Sequence, residues 1–127
     1  VNWPDVTETM RAIERAARRT LEQENERIHA FTHLSHVYRQ GCSIYSTFVY
    51  RSAGSYEADL ERWRRLKTKL SETIVGHGGT ISHQHGVGTD HAPYLAAEKG
   101  ALGMDLIRAM AREFDPEGMM NPGKLFV

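Results

Sequence analysis

A switch in hydrophobic period near Ile28 decides most of what this chain can become. Before it, Met10, Ile13, Ala17 and Leu21 recur at helical spacing through a densely charged stretch. Asp5, with Glu8 three residues later, reads as a capped start, so the spacing predicts a helix from about Val6 to Arg27. After the switch, Ile28–Tyr38 and Ser43–Arg51 read as extended segments, the second rich in Tyr, Phe, Ile, Thr and Val. Only Arg39-Gln40-Gly41 and Cys42 separate them, which predicts a β-hairpin.

A glycine-containing break, Ser52–Ser55, precedes a second helical stripe formed by Leu60, Trp63, Leu66 or Lys67, Leu70 and Ile74, ended by Gly76. This stripe is expected to pack on the hairpin. Gly78-Gly79 leads into a predicted third strand, Thr80–His85, followed by the loop Gly86-Val87-Gly88. Asp90 as cap and Pro93 in the first turn open a last helix, which Gly100 and Gly103 are expected to interrupt. Its apolar face resumes at Leu106, Ile107, Met110 and Phe114, and Asp115-Pro116 stops it. The tail from Met119 to Phe126 holds too many turn residues for a regular element and too many apolar ones for a free end. It is expected to dock. The order α-β-β-α-β-α predicts an α+β fold, an antiparallel sheet covered by helices, of the ferredoxin-like (split βαβ) kind.

At 127 residues, 40% of them apolar and 25% charged, the chain has the makeup of one globular domain. Sixteen basic residues balance sixteen acidic ones, which argues against nucleic acid or an anionic membrane surface as partner and for a small molecule or a protein. The charges of the first helix alternate in sign and read as a solvated face. A single cysteine, Cys42, has no internal partner, reads as a small packed residue, and fits a reducing, cytoplasmic setting. No apolar run reaches the roughly 18 residues of a membrane span. The start at Val1, without methionine or an apolar leader, is expected to mark a piece of a longer protein.

Chemistry concentrates in the histidines. Of seven, His29, His33 and His36 fall on the first predicted strand and His83 and His85 on the third. Strand alternation would turn His83 and His85 one way and Gln84 the other, and would put His29 and His33 on a shared face. Such a cluster can hold a metal, since His-x-His with a third histidine is a common zinc arrangement. It can also hold a phosphate or carboxylate, with help from the backbone N–H groups of Gly86-Val87-Gly88. The plainer alternative is a set of ordinary hydrogen-bonded histidines. Tyr45, mid-strand, is a candidate acid/base or a core aromatic. Arg51 and Lys124 are the cations to consider for an anionic ligand.

The run Gly78-Gly79-Thr80-Ile81-Ser82-His83-Gln84-His85-Gly86-Val87-Gly88, then Phe114-Asp115-Pro116 and Asn121-Pro122-Gly123-Lys124-Leu125, resembles the C-terminal domain of FAD-linked oxidases of the vanillyl-alcohol-oxidase superfamily. His33-Leu34-Ser35-His36-Val37-Tyr38, with Gly41 and Tyr45, is similar to the alkyldihydroxyacetonephosphate synthase branch. The resemblance implies a flavoprotein whose N-terminal domain, absent from this chain, binds most of the FAD, while the present segment caps the substrate side. That branch exchanges the acyl group of acyl-dihydroxyacetone phosphate for a fatty alcohol without net redox change. It implies Tyr45, His83 and His85 as catalytic, His33, His36, Gln84 and Arg51 as substrate-binding, and Asn121 and Lys124 as close to the cofactor. Gln84 departs from a histidine triplet, and the Asn-Pro-Gly-Lys tail resembles relatives that oxidise D-lactate, glycolate or D-2-hydroxyglutarate. The metal-dependent ones among those carry a carboxylate and a further histidine where Gln84 and Tyr45 stand, so no metal is implied here.

Two functions of different class follow. One is the cap of a flavoenzyme pocket formed between domains, acting with its own N-terminal FAD domain on an alcohol, a hydroxy acid or an acyl/alkyl phosphate. The other is a non-catalytic ferredoxin-like module that binds a metal or an anion. A docking face left bare by a missing domain would also favour a homodimer.

Overall fold

The computed structural model describes residues 1–126, in two compact units: Val1–Gly79 and, from Thr80 on, the rest of the described chain.

The first unit opens with a short 3-10 turn, Trp3–Asp5, followed by α1 (Val6–Glu22), β1 (Ile28–Val37), β2 (Cys42–Tyr50) and α2 (Tyr56–Gly76). Asp5 makes no side-chain cap bond, contrary to the capping expected of it. The helix also stops five residues before Arg27. Asn25 takes a left-handed conformation (φ 55°), and Glu26 N–H donates to Leu21 C=O at 3.0 Å. That bond from beyond the left-handed residue back over the last turn is how helices are closed when an Asn or Gly can adopt positive φ.

β1 and β2 form an antiparallel pair joined by the two-residue turn Arg39-Gln40, with Tyr38 N–H donating to Gly41 C=O at 2.8 Å. Ile28, Ala30, Phe48 and Tyr50 meet the helical layer, where Ile13 and Ala17 of α1 and Leu66 and Leu70 of α2 complete one core with Ile74 at its margin. Of the stripe that spacing predicts on α2, Leu66, Leu70 and Ile74 enter this core, mainly alongside α1, whereas Trp63 stays exposed. Ser55 caps α2 by accepting from Ala58 N–H at 3.2 Å, a role that the Ser52–Ser55 break did not announce. Arg62, only 8% exposed, binds Glu24 through Nε at 2.9 Å and donates from Nη1 to the Arg51 carbonyl at 2.5 Å, fastening the end of α1 and the end of β2 to α2.

The second unit contains one kinked helix, α3 (Ala92–Phe114), with Pro93 in its first turn. Gly100 breaks it as expected (φ 68°, ψ 173°), whereas Gly103 stays within the helix. The predicted strand Thr80–His85 is absent. Gln84 adopts φ 64°, and Ser82 Oγ donates to the His85 carbonyl at 2.9 Å, so this polar run closes on itself instead of extending. Its single β-branched pair, Thr80-Ile81, is too little to hold a pleat against a side chain that bonds the backbone locally. Among the described residues the sheet therefore has two strands. The fold is a small α+β arrangement of a two-stranded antiparallel sheet with helices, and the ferredoxin-like topology expected from the sequence does not appear. No helix of the described residues is long and apolar enough to cross a membrane.

Candidate functional site

In the first unit the sheet face turned away from the helices carries the chemistry. Cross-strand partners share a face, and the register pairs His33 with Tyr45 and His29 with Val49. The His33 imidazole and the Tyr45 phenol lie with ring centroids 5.3 Å apart and planes tilted by 32°. Tyr45 is 57% exposed, so it is not the core aromatic that was one reading of it. Further along the same face, the His29 and Phe31 rings lie with centroids 5.4 Å apart and planes tilted by 48°. The expectation that His29 and His33 share a face holds.

His36 reaches this face by a route that alternation alone does not give. The register slips between Leu34 and His36, so Ser35 is an extra residue opposite Ser43, and His36 pairs with Ser43, two residues from Tyr45 on β2. Ser35 Oγ lies 3.1 Å from both Ser43 Oγ and His36 Nδ1, tying the bulge to its neighbours. His33, His36 and Tyr45 are thus gathered on one side of one hairpin. Arg51 lies just past the end of β2 and is exposed; its carbonyl is held by Arg62. Cys42 is buried at 4% exposure, as a packed residue should be.

In the second unit, His83, Gln84 and His85 sit in the closed turn, so pleat alternation does not set where they point, contrary to the expectation from a strand. His83 is half-buried and His85 exposed. The turn is anchored to α3 through Thr80 Oγ1, which donates to Glu98 at 2.8 Å. Partial burial pushes the Glu98 carboxyl upward, but the Lys99 ammonium and the Thr80 hydroxyl together outweigh it and hold the group below its ordinary value. Glu98 therefore stays charged and keeps its grip on Thr80 near neutrality.

Beyond this turn, the Gly86–Gly88 loop, the C-terminal half of α3 and the tail line an open groove of about 1340 Å³. Asn121 and Lys124 both line it, together with the backbone of Gly86 and Gly88. The tail is shaped by a residue that sequence reasoning took only as a helix stop: the Asp115 carboxylate accepts from Met119 N–H at 3.0 Å and from Met120 N–H at 2.7 Å. Left-handed Asn121 (φ 49°) and Gly123 (φ 67°) then turn the chain, and Arg108 lies 5.8 Å above the Phe126 ring. The tail folds back at the end of α3, but the docking expected of its apolar residues does not appear, since Met119 and Met120 stay exposed. Asp115 followed by Gly118 was the available signal for the fold-back. Among the described residues no three His, Cys, Asp or Glu side chains are grouped as ligands for a metal ion.

The chain is similar to enzymes of two named kinds. It is 31% identical to alkyldihydroxyacetonephosphate synthase of Trypanosoma brucei brucei and 28% identical to that of Dictyostelium discoideum, each over 97% of the chain. Over 54% of the chain it is 38% identical to glycolate oxidase subunit GlcD of Bacillus subtilis (strain 168), a stretch that is 14% of that protein. The chain spans 21% of the length of the two synthases. Residues 1–125 match the family described as FAD linked oxidases, C-terminal domain, and this chain belongs to that family.

Proposed function

We propose that this chain is the substrate-facing C-terminal part of a longer FAD-dependent enzyme, of the alkyldihydroxyacetonephosphate synthase kind. The observation that carries the reading is the His33–Tyr45 pair: a phenol and an imidazole, opposed across two strands, on an exposed face with His36 beside them. A lone exposed tyrosine would say little. A phenol with an imidazole packed against it across the ladder can hold a proton at Tyr45 Oη and pass it to or from a substrate oxygen or the carbon next to it. His33 and His36 orient an anionic or hydroxylated substrate against that oxygen. His83 and His85 are proposed as further acid/base groups, with Gln84 as a neutral hydrogen-bonding neighbour, and Arg51 as a cation for a phosphate or carboxylate.

FAD is implied by the family, and the tail fits a supporting share of it. Asn121 and Lys124 line an open groove that Gly86 and Gly88 also line, and glycine backbone suits close approach by a planar, polar-edged group. Most of the cofactor would be held by an N-terminal domain outside this chain. Bound flavin would supply the electron-accepting chemistry, and the residues of this chain would bind, orient and move the proton. The proposed setting is cytoplasmic, on the balanced charge and the lone buried cysteine.

A second reading, a cap for a D-2-hydroxy acid dehydrogenase, is favoured by the local identities: 38% to the GlcD subunit and 40%, over 55 residues, to D-2-hydroxyglutarate dehydrogenase of Stutzerimonas stutzeri (strain A1501). Anaerobic flavin reduction by a panel of D-2-hydroxy acids, run beside an acyl-for-alkyl exchange assay on the parent enzyme, separates the two. Under either reading Tyr45→Phe should lower turnover by about 10²–10⁴-fold with flavin still bound. Near-normal turnover in that variant removes Tyr45 from the mechanism.

A further inference from the structure

We infer that the outer edge of β2 is the template for a third antiparallel strand, supplied by the segment immediately upstream of Val1 in the parent chain. The register is already set. Asn2 bridges Gly41, Val1 N donates to the Cys42 carbonyl and Cys42 N–H donates to the Val1 carbonyl, both at 3.0 Å. Two residues that exchange both bonds are one rung of an antiparallel ladder. Bonding in such a ladder alternates, so Ile44, Ser46, Phe48 and Tyr50 turn their backbone groups to the same edge as Cys42. Among the described residues no strand pairs with them.

Free edges are normally guarded by charge, proline or a bulge. β2 has none of these over its nine residues, Cys-Ser-Ile-Tyr-Ser-Thr-Phe-Val-Tyr. An unguarded edge with its first rung in place is what strand addition uses. Gly41 makes the entry possible, since a Cβ there would stand 2.0 Å from the Val1 carbonyl oxygen.

Extending that ladder places the first, third and fifth residues upstream of Val1 opposite Ser43, Tyr45 and Thr47, on the face that carries His33 and His36. The third residue upstream would therefore flank Tyr45 on the side away from His33. It becomes a determinant of what the phenol can reach. The inference rests on the reading of this chain as part of a longer enzyme.

The test is amide hydrogen exchange on the full-length parent. Ile44, Ser46 and Phe48 should exchange on the order of 100-fold more slowly than unpaired amides, matching Ser43 and Tyr45. Exchange of those three at the unpaired rate overturns the inference, as does protection that appears only at high protein concentration, which would assign the edge to a second copy. Gly41→Val should strip protection from Ile44 and Ser46 while Ser43, Tyr45 and Thr47 keep theirs. Should that variant misfold, the wild-type pattern alone decides. Flavin content and turnover of the same preparation are read separately: protected edge amides without flavin refute the enzyme reading, and flavin with turnover but unprotected amides refutes the strand.

Discussion

Replacing Arg62 with methionine should destabilise the first unit far more than any other arginine of α2. The Arg62 side chain is 9% exposed and makes three bonds, two of 2.9 Å to Glu24 Oε2 and one to the Arg51 carbonyl. Removing one partner of a buried pair costs about 3–5 kcal/mol when the other charge is stranded. Glu24 is not stranded, because its other oxygen still pairs with half-exposed Arg65 and its side chain keeps 19% of its surface. The ionic part therefore falls to roughly 1–2 kcal/mol, and the orphaned Arg51 carbonyl adds about 1–3 kcal/mol, partly relieved by water at the exposed loop. A total of about 2–4 kcal/mol follows, a large share of a stability of about 5–15 kcal/mol. Arg65→Met, on the same carboxylate but half in solvent, should cost no more than about 1 kcal/mol. Urea unfolding of wild type, of Arg62→Met, Arg65→Met and Glu24→Gln, and of each arginine variant combined with Glu24→Gln closes both cycles. If Arg62→Met and Arg65→Met cost the same, or if the Arg62–Glu24 cycle shows no coupling, the clamp is not what holds α2 to the end of β2.

The remaining expectations concern the loop, the helix kink and the tail. The Ser52 hydroxyl and the Ala53 N–H, each 2.6 Å from the Asp59 carboxylate, lower its pKa below the ordinary 3.8. A depressed folded pKa gives stability that is full above the unfolded value and is lost as pH falls through the folded one, so loosening of Ser52–Gly54 should begin only below about pH 4, and Asp59→Asn should remove that acid step from a pH series of exchange rates. Gly100→Ala meets no atom within 4 Å, yet its φ of 68° with ψ 173° is open almost only to glycine, so a loss of about 1–3 kcal/mol from α3 is expected in thermal unfolding. Asp115→Ala frees the Met119 and Met120 amides, which should then exchange quickly, and in the parent enzyme it should weaken flavin retention if Asn121 and Lys124 touch the cofactor.

How much was legible follows from which signals were local. The hairpin could be read to within a residue at each end, because β-branched and aromatic side chains on both sides of a short polar turn have few other uses. The core stripe of α2 was equally plain. The end of α1 was missed because Asn25 sits in a run of charged residues that suits a helix, and its left-handed turn is closed by main-chain bonds from Glu24 and Glu26 to Leu21. The third strand was overcalled for a related reason. A His-Gln-His run looks extended on paper, but Ser82 offers the backbone a competing bond that composition does not weigh. The groove could be foreseen only as a docking tail, since its shape comes from Asp115 holding two amides four and five residues ahead.

The candidate site itself depends on a single residue that carries no chemistry. From the Arg39-Gln40 turn, the pairs Val37–Cys42 and His36–Ser43 follow one register, whereas Leu34–Ile44 and His33–Tyr45 follow another, displaced by one. Had the ladder continued without that displacement, Tyr45 would stand opposite Leu34 and His33 opposite Ser46. The phenol and the imidazole would then lie on opposite sides of the sheet, because a slip of one residue reverses every side chain. Ser35, bonded to Ser43 and His36, absorbs the extra residue and thereby puts three polar rings on one face. A bulge at this place is what converts a histidine-rich strand, whose alternation would divide its imidazoles between core and solvent, into one that presents His29, His33 and His36 on the same face.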